Sequence, residues 1–139
     1  MSRMIRRQQA TQAAVDRFQG KPFEWGRYDC VRLAAFMLRE MGHRPGLGRA
    51  GSYKTAKGAV GALRRAGYAT LAEAMDGLGL QRIPPAAALP GDIVMVPSDG
   101  AWSGSLMVAV GNGRTIGWAE GLEAADVFQP VAFVAAWRA

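Results

Sequence analysis

The chain holds one cysteine and one histidine in 139 residues, and that scarcity excludes several kinds of chemistry. A single thiol cannot close an intramolecular disulfide. One thiol and one imidazole also fall short of the ligands an ordinary zinc site needs, so neither a metal nor a cofactor is expected. Long apolar runs are missing too: none approaches the roughly 18 residues of a membrane span. The opening, MSRMIRRQQATQAAVDRF, is basic, but no apolar core follows its charges. A secretory signal is therefore not expected, and synthesis in a reducing cytoplasm is. Internal repeats and linkers are absent as well, so residues 1–139 read as one domain, long enough to bury a core unaided.

What is present is half hydrophobic and one fifth charged, the balance of a folded globular domain. The net charge of +6 raises the question of nucleic acid. The cations are scattered from Arg3, Arg6 and Arg7 through Arg39 to Arg64 and Arg65, without a dominant block or a nucleic-acid-binding motif. They suit a solvated surface with affinity for acidic partners, and nucleic acid is not the expected ligand.

Helical signals fill the first half. Ser2 to Gln19 places Ile5, Ala13, Ala14, Val15 and Phe18 on one side and stops at Gly20 and Pro22, giving a helix within residues 1–20. Cys30, Leu33, Ala34, Met37, Leu38 and Met41 recur at helical spacing, with Gly42 as the stop. A third helix is expected over Thr55 to Ala66. A fourth starts at Thr70, whose Thr-Leu-Ala-Glu sequence spells a capping box with Glu73, and runs to about Leu78. Residues 23–80 thus form a helical part containing the Cys30 helix. Residues 90–138 change character. Strands are expected at Ile93–Val96, Leu106–Val110, Arg114–Ala119 and Val131–Arg138, with the Asn112-Gly113 pair as a hairpin turn. Helices followed by a small antiparallel sheet make an α+β domain.

The lone thiol and imidazole invite pairing, but a helix from Cys30 to Gly42 separates Cys30 from His43 by about 20 Å at 1.5 Å per residue. A base must lie within about 3 Å of the proton it takes. His43 suits the helix end instead, where a cation meets the carbonyl end of the dipole.

Tyr28-Asp29-Cys30 at a helix start, with Pro90-Gly91-Asp92-Ile93-Val94 opening a sheet some 60 residues later, resembles the NlpC-type papain-like cell-wall peptidases. In that family the cysteine nucleophile starts a buried helix. The general base opens a strand that reads His-Val-Gly-Ile-Tyr-Val-Gly-Asn-Gly. The corresponding segment here is Ser105-Leu106-Met107-Val108-Ala109-Val110-Gly111-Asn112-Gly113, with Ser105 at the histidine position. Phe23-Glu24-Trp25-Gly26-Arg27-Tyr28-Asp29-Cys30 and the ending Ala136-Trp137-Arg138 are similar to small tail-module proteins of long-tailed bacteriophages. The resemblance covers roughly Phe18 to Trp137. It implies a tail-tip or baseplate component with an NlpC-like fold, made in the host cytoplasm and carried in the virion tail. Its partners would be a tail hub, a distal tail protein and peptidoglycan.

It also implies a test of the chemistry. A free thiol is only about 3% ionised at neutral pH. A helix N-terminus aids ionisation at Cys30, but turnover also needs a base that takes and returns the proton. The Ser105 hydroxyl does not take up a proton at neutral pH. Asp92 belongs to a structural turn and Asp99 to the surface turn Ser98-Asp99-Gly100. Gly117 stands near the place of the polar residue that orients the base. The leaning is therefore to a peptidase homologue without catalysis, in which Cys30 is a core residue, Asp29 a helix cap and Tyr28 a packing residue. Two rivals stay open: a murein endopeptidase or amidase using Cys30 with a substitute base, and a basic nucleic-acid-binding module. Trp25, Trp102, Trp118 and Trp137 read as core or interface anchors rather than a glycan platform.

Overall fold

Among the described residues, each of the four α-helices starts at a side-chain oxygen that satisfies an otherwise unpaired amide. In the computed structural model, which describes residues 2–46 and 52–139, these caps are Ser2, Asp29, Thr55 and Thr70. They launch α1 (Arg3–Phe18), α2 (Cys30–Glu40), α3 (Ala56–Arg65) and α4 (Leu71–Asp76). Met1, placed in the first helical segment by sequence, lies outside the described residues, as do residues 47–51 of the helical part. The Thr70 cap differs in one detail from the expected box. Thr70 accepts from the Glu73 amide, but the Glu73 carboxylate reaches the Ala69 amide rather than that of Thr70.

The end of α2 shows why Gly42 was legible as a stop. Its φ of +92° lets the chain reverse, so that Gly42 N–H donates to the Arg39 carbonyl and His43 N–H to that of Leu38. This is a Schellman ending, which disposes of two carbonyls the helix leaves open.

Six strands of the described residues make one antiparallel sheet: β1 (Arg82–Ile83), β2 (Ile93–Val96), β3 (Ser105–Gly111), β4 (Arg114–Gly117), β5 (Asp126–Phe128) and β6 (Ala135–Trp137). Their spatial order is β1-β6-β2-β3-β4-β5. The Asn112-Gly113 turn joins β3 to β4, both residues at positive φ as a two-residue hairpin requires. Three expectations need correction. β1 and β5 were not anticipated, because two and three residues are too few to display an alternating pattern. The sheet consequently starts at Arg82, before residue 90. The last strand is shorter than Val131–Arg138, since Val131 and Val134 are exposed and the ladder begins only at Ala135.

The helical side of the sheet carries the main core, where the fully buried Leu33, Met37 and Leu38 of α2 meet Leu106 and Val108 of β3. The whole apolar stripe of α2, Cys30 included, is buried. A smaller cluster of Val94, Val96, Met107, Ala109 and Ala136 occupies the other face.

Asp92 fixes the start of β2. Its carboxylate accepts from Arg7 Nη1 at 2.7 Å, Arg138 Nη1 at 2.9 Å, and the amides of Leu89 at 2.8 Å and Ala139 at 2.9 Å. One fully buried carboxylate thus joins α1, the Pro90-Gly91-Asp92 turn and the residues after β6. Gly91 permits the approach: its φ is +95°, and a Cβ there would lie 2.7 Å from Met37 Cε.

Candidate functional site

The segment Phe23 to Cys30 is a turn closed on itself. Glu24 and Tyr28 exchange backbone hydrogen bonds, and Gly26, at φ +82°, points its amide back at Asp29 Oδ2, 2.8 Å away. A side chain at residue 26 would overlap the Tyr53 carbonyl oxygen, so glycine is required for space as well as for φ. Asp29 is fully buried. It accepts the Arg32 amide on Oδ1 and both the Gly26 amide and the Tyr53 hydroxyl on Oδ2. With both oxygens so engaged it acts as cap and clamp, as the sequence suggests. Tyr53, which the sequence reading missed, is its third donor. Burial, then the Asp29 charge, raises the Tyr53 pKa and keeps that phenol protonated. Nothing in the spacing of residue 53 announces the contact, because it crosses 24 positions of chain.

Tyr28 is not part of the lining of the thiol's cleft. It packs edge-on against Phe18, and the Arg27 guanidinium and Lys21 ammonium sit 4.9 and 5.7 Å from its ring centre. That is a packing role.

The Cys30 sulfur sits at the first residue of α2, against the start of β3. Its surroundings are the Leu106 amide and the Ser105 hydroxyl, both of which favour the thiolate, and the Asp29 carboxylate, which disfavours it. Burial exceeds all of these. The side chain is 4% exposed, and its pKa is pushed up to about 12. The helix-end aid expected from sequence is thus outweighed, because taking a thiolate out of water costs more than a few amide dipoles return. The fold brings Ser105 to Cys30 but brings no imidazole or amine there among the described residues.

His43 lies at the opposite end of α2, in a separate cavity with Leu38, Pro45, Leu78 and Leu80. The expectation of a cation there is corrected. Burial, then the charges of Arg3 and Arg6, lowers its pKa, and its Nε2 is buried with no hydrogen-bond partner among the described residues. The carbonyl end of α2 attracts a proton, but two arginines and lost hydration act against it.

The other candidate bases are equally placed away from proton transfer. Asp92 is committed to Arg7 and Arg138. Asp99 is exposed in its turn, where Ser98 Oγ accepts the Gly100 amide. Position 117 has no room for an orienting side chain, since a Cβ would come 2.8 Å from Met107 Cγ.

Cys30 nevertheless lines a cleft of about 610 Å³. Its walls are the Pro97–Gly104 loop, the Trp118–Glu123 segment, and Phe23 with Trp25. Three of the four tryptophans face this cleft, whereas Trp137 is buried and donates Nε1–H to Asp76 Oδ1 at 2.9 Å. Trp102 and Trp118 are anchored by Nε1–H bonds to the Ala59 and Lys21 carbonyls. From sequence a cleft lining was the less favoured reading of the tryptophans, because Phe23, Trp25, Trp102 and Trp118 come from three separate segments that no local pattern links.

Among the described residues no cluster of three His, Cys, Asp or Glu side chains is arranged to hold a metal ion, and no helix is long and apolar enough to cross a membrane. Among curated proteins, none matches this chain. A family model spanning residues 2–139 does, and by it the chain belongs to the family described as domain of unknown function DUF6950.

Proposed function

We propose that the protein is a non-hydrolytic homologue of the NlpC-type papain-like peptidases, serving as a structural or assembly component of a bacteriophage tail tip or baseplate. The α+β arrangement, with a cysteine at the start of a buried helix against an antiparallel strand, supports the NlpC-like reading. The phage setting rests on the Phe-x-Trp-Gly-x-x-Asp-Cys opening and the order of the later motifs. In this reading the chain is made in the host cytoplasm and incorporated into the tail beside the hub and the distal tail protein.

One observation carries the loss of catalysis: the Cys30 thiol is buried among the Ser105 hydroxyl, the Leu106 amide and the Asp29 carboxylate, and that carboxylate is already engaged by the Gly26 and Arg32 amides and the Tyr53 hydroxyl. A thiol in that setting does not supply the thiolate that amide cleavage requires, nor a proton for the leaving amine.

A working murein peptidase is the second reading, favoured by the position of Cys30 on a large cleft. Digestion of purified peptidoglycan separates the two. The assembly role predicts no release of peptide fragments by the wild-type protein, and no difference from Cys30→Ala. Release that disappears in Cys30→Ala would overturn it in favour of the enzyme.

A further inference from the structure

The same cleft has a charge opposite to that of the chain as a whole. The sequence carries 17 Lys and Arg against 11 Asp and Glu. The cleft lining nevertheless includes Asp99, Glu120 and Glu123 and no Lys, Arg or His. All three carboxylates are exposed, and none makes an ion pair among the described residues. By contrast Glu24, Asp76 and Asp92 each face an arginine.

Beside these carboxylates runs an aromatic wall. Trp118, Phe23, Trp25 and Trp102 follow one another edge to face, with ring centres 5.7, 4.7 and 5.0 Å apart. Phe23 is 42% exposed, so its ring is open to a ligand. Aromatic faces attract cations, and an apolar wall beside carboxylates lowers the local screening and strengthens that attraction.

We propose that this cleft docks a basic peptide segment of a partner protein, its lysine or arginine side chains held between the aromatic wall and Asp99, Glu120 and Glu123. A peptide fits better than a single free amine. The carboxylates come from two loops on a cleft of about 610 Å³, room for several cations displayed along one chain. Cation capture uses none of the thiol's chemistry, so it goes beyond the assembly role and does not depend on it.

The test is titration of the full chain with tetralysine, tetraarginine, tetra(acetyl-lysine), tetraglutamate and spermidine, followed by tryptophan fluorescence and calorimetry. The expected result is saturable binding of both cationic peptides and none of the acetylated or acidic ones. Asp99→Asn/Glu120→Gln/Glu123→Gln should weaken binding by about tenfold or more, and added salt should weaken it further. All three substitutions are at exposed positions, and an unchanged melting temperature verifies the fold; Phe23→Ala provides a second, independent loss. Equal affinity in the wild type and the triple variant overturns the proposal, as does absence of saturable binding at millimolar peptide. Spermidine binding as tightly as tetralysine would assign the cleft to a free polyamine instead. Self-association that the triple variant abolishes would assign it to a second copy of this chain.

Discussion

Asp92→Ala should lower the unfolding free energy by about 3–5 kcal/mol, the usual consequence of removing one member of a buried ion pair. The magnitude follows from what is left behind. Arg7 is 3% exposed at its side chain, and among the described residues Asp92 is the one carboxylate side chain paired with it. Two backbone amides, of Leu89 and Ala139, lose their acceptor at the same time. Glu24→Ala is the control, because its pairing with Arg27 is long, at 3.9 Å, and exposed on both sides. That change should cost less than about 1 kcal/mol. Urea unfolding of both variants measures the contrast. A loss below about 1 kcal/mol for Asp92→Ala would mean that the cluster does not hold α1 to the sheet.

The second large effect is alkaline. Cys30 has a folded pKa of about 12 against an ordinary 9.0. Below pH 9 the thiol is protonated in both folded and unfolded chains, and the shift has no effect on stability. Above it the unfolded chain ionises while the folded one does not, so the folded state binds the extra proton and stability falls as pH rises. One pKa unit corresponds to about 1.4 kcal/mol, so the loss from this group is on the order of 1 kcal/mol at pH 10 and 2–3 kcal/mol at pH 11. Tyr53, whose pKa is also raised, acts in the same direction. The quantity to measure is the difference in slope between the wild type and Cys30→Ala, which isolates this group. The wild type should lose stability more steeply between pH 9 and 11. Parallel slopes would contradict the burial of the thiol.

Much of this architecture was legible in the sequence where the cause is local. Asp29, Thr55 and Thr70 announce helix starts, Gly42 a helix stop and Asn112-Gly113 a hairpin, because caps and turns depend on residues three or four apart. The α2 stripe was legible for the same reason. The short β1 and β5 were not, since their membership in the sheet is set by neighbours far along the chain: Arg82 pairs with Trp137 and Thr115 with Phe128. The site divides in the same way. Cys30 and its cap could be named from one octapeptide, and Ser105 from its place in the strand motif. The core reading of Cys30 also came from the α2 stripe, against one opposing influence. A helix N-terminus at residue 30 argues for a lowered thiol pKa, whereas the raised value comes from burial between α2 and β3, which only the tertiary packing determines. His43 illustrates the same limit: its pKa is lowered first by burial and then by the charges of Arg3 and Arg6 of α1. The aromatic and acidic cleft drew on segments about 100 residues apart, Phe23 and Glu123 being its outermost members, and no local pattern links them.

The central claim is that Cys30 is an inert, buried thiol. Its rate of alkylation by iodoacetamide as a function of pH, read by mass spectrometry on the intact folded protein, tests it most directly. The account predicts a rate at pH 8 about three orders of magnitude below that of the urea-unfolded chain, rising about tenfold per pH unit without a plateau up to pH 10. A plateau reached below pH 8, with a rate equal to or above that of the unfolded chain, would reveal an activated thiolate and contradict it.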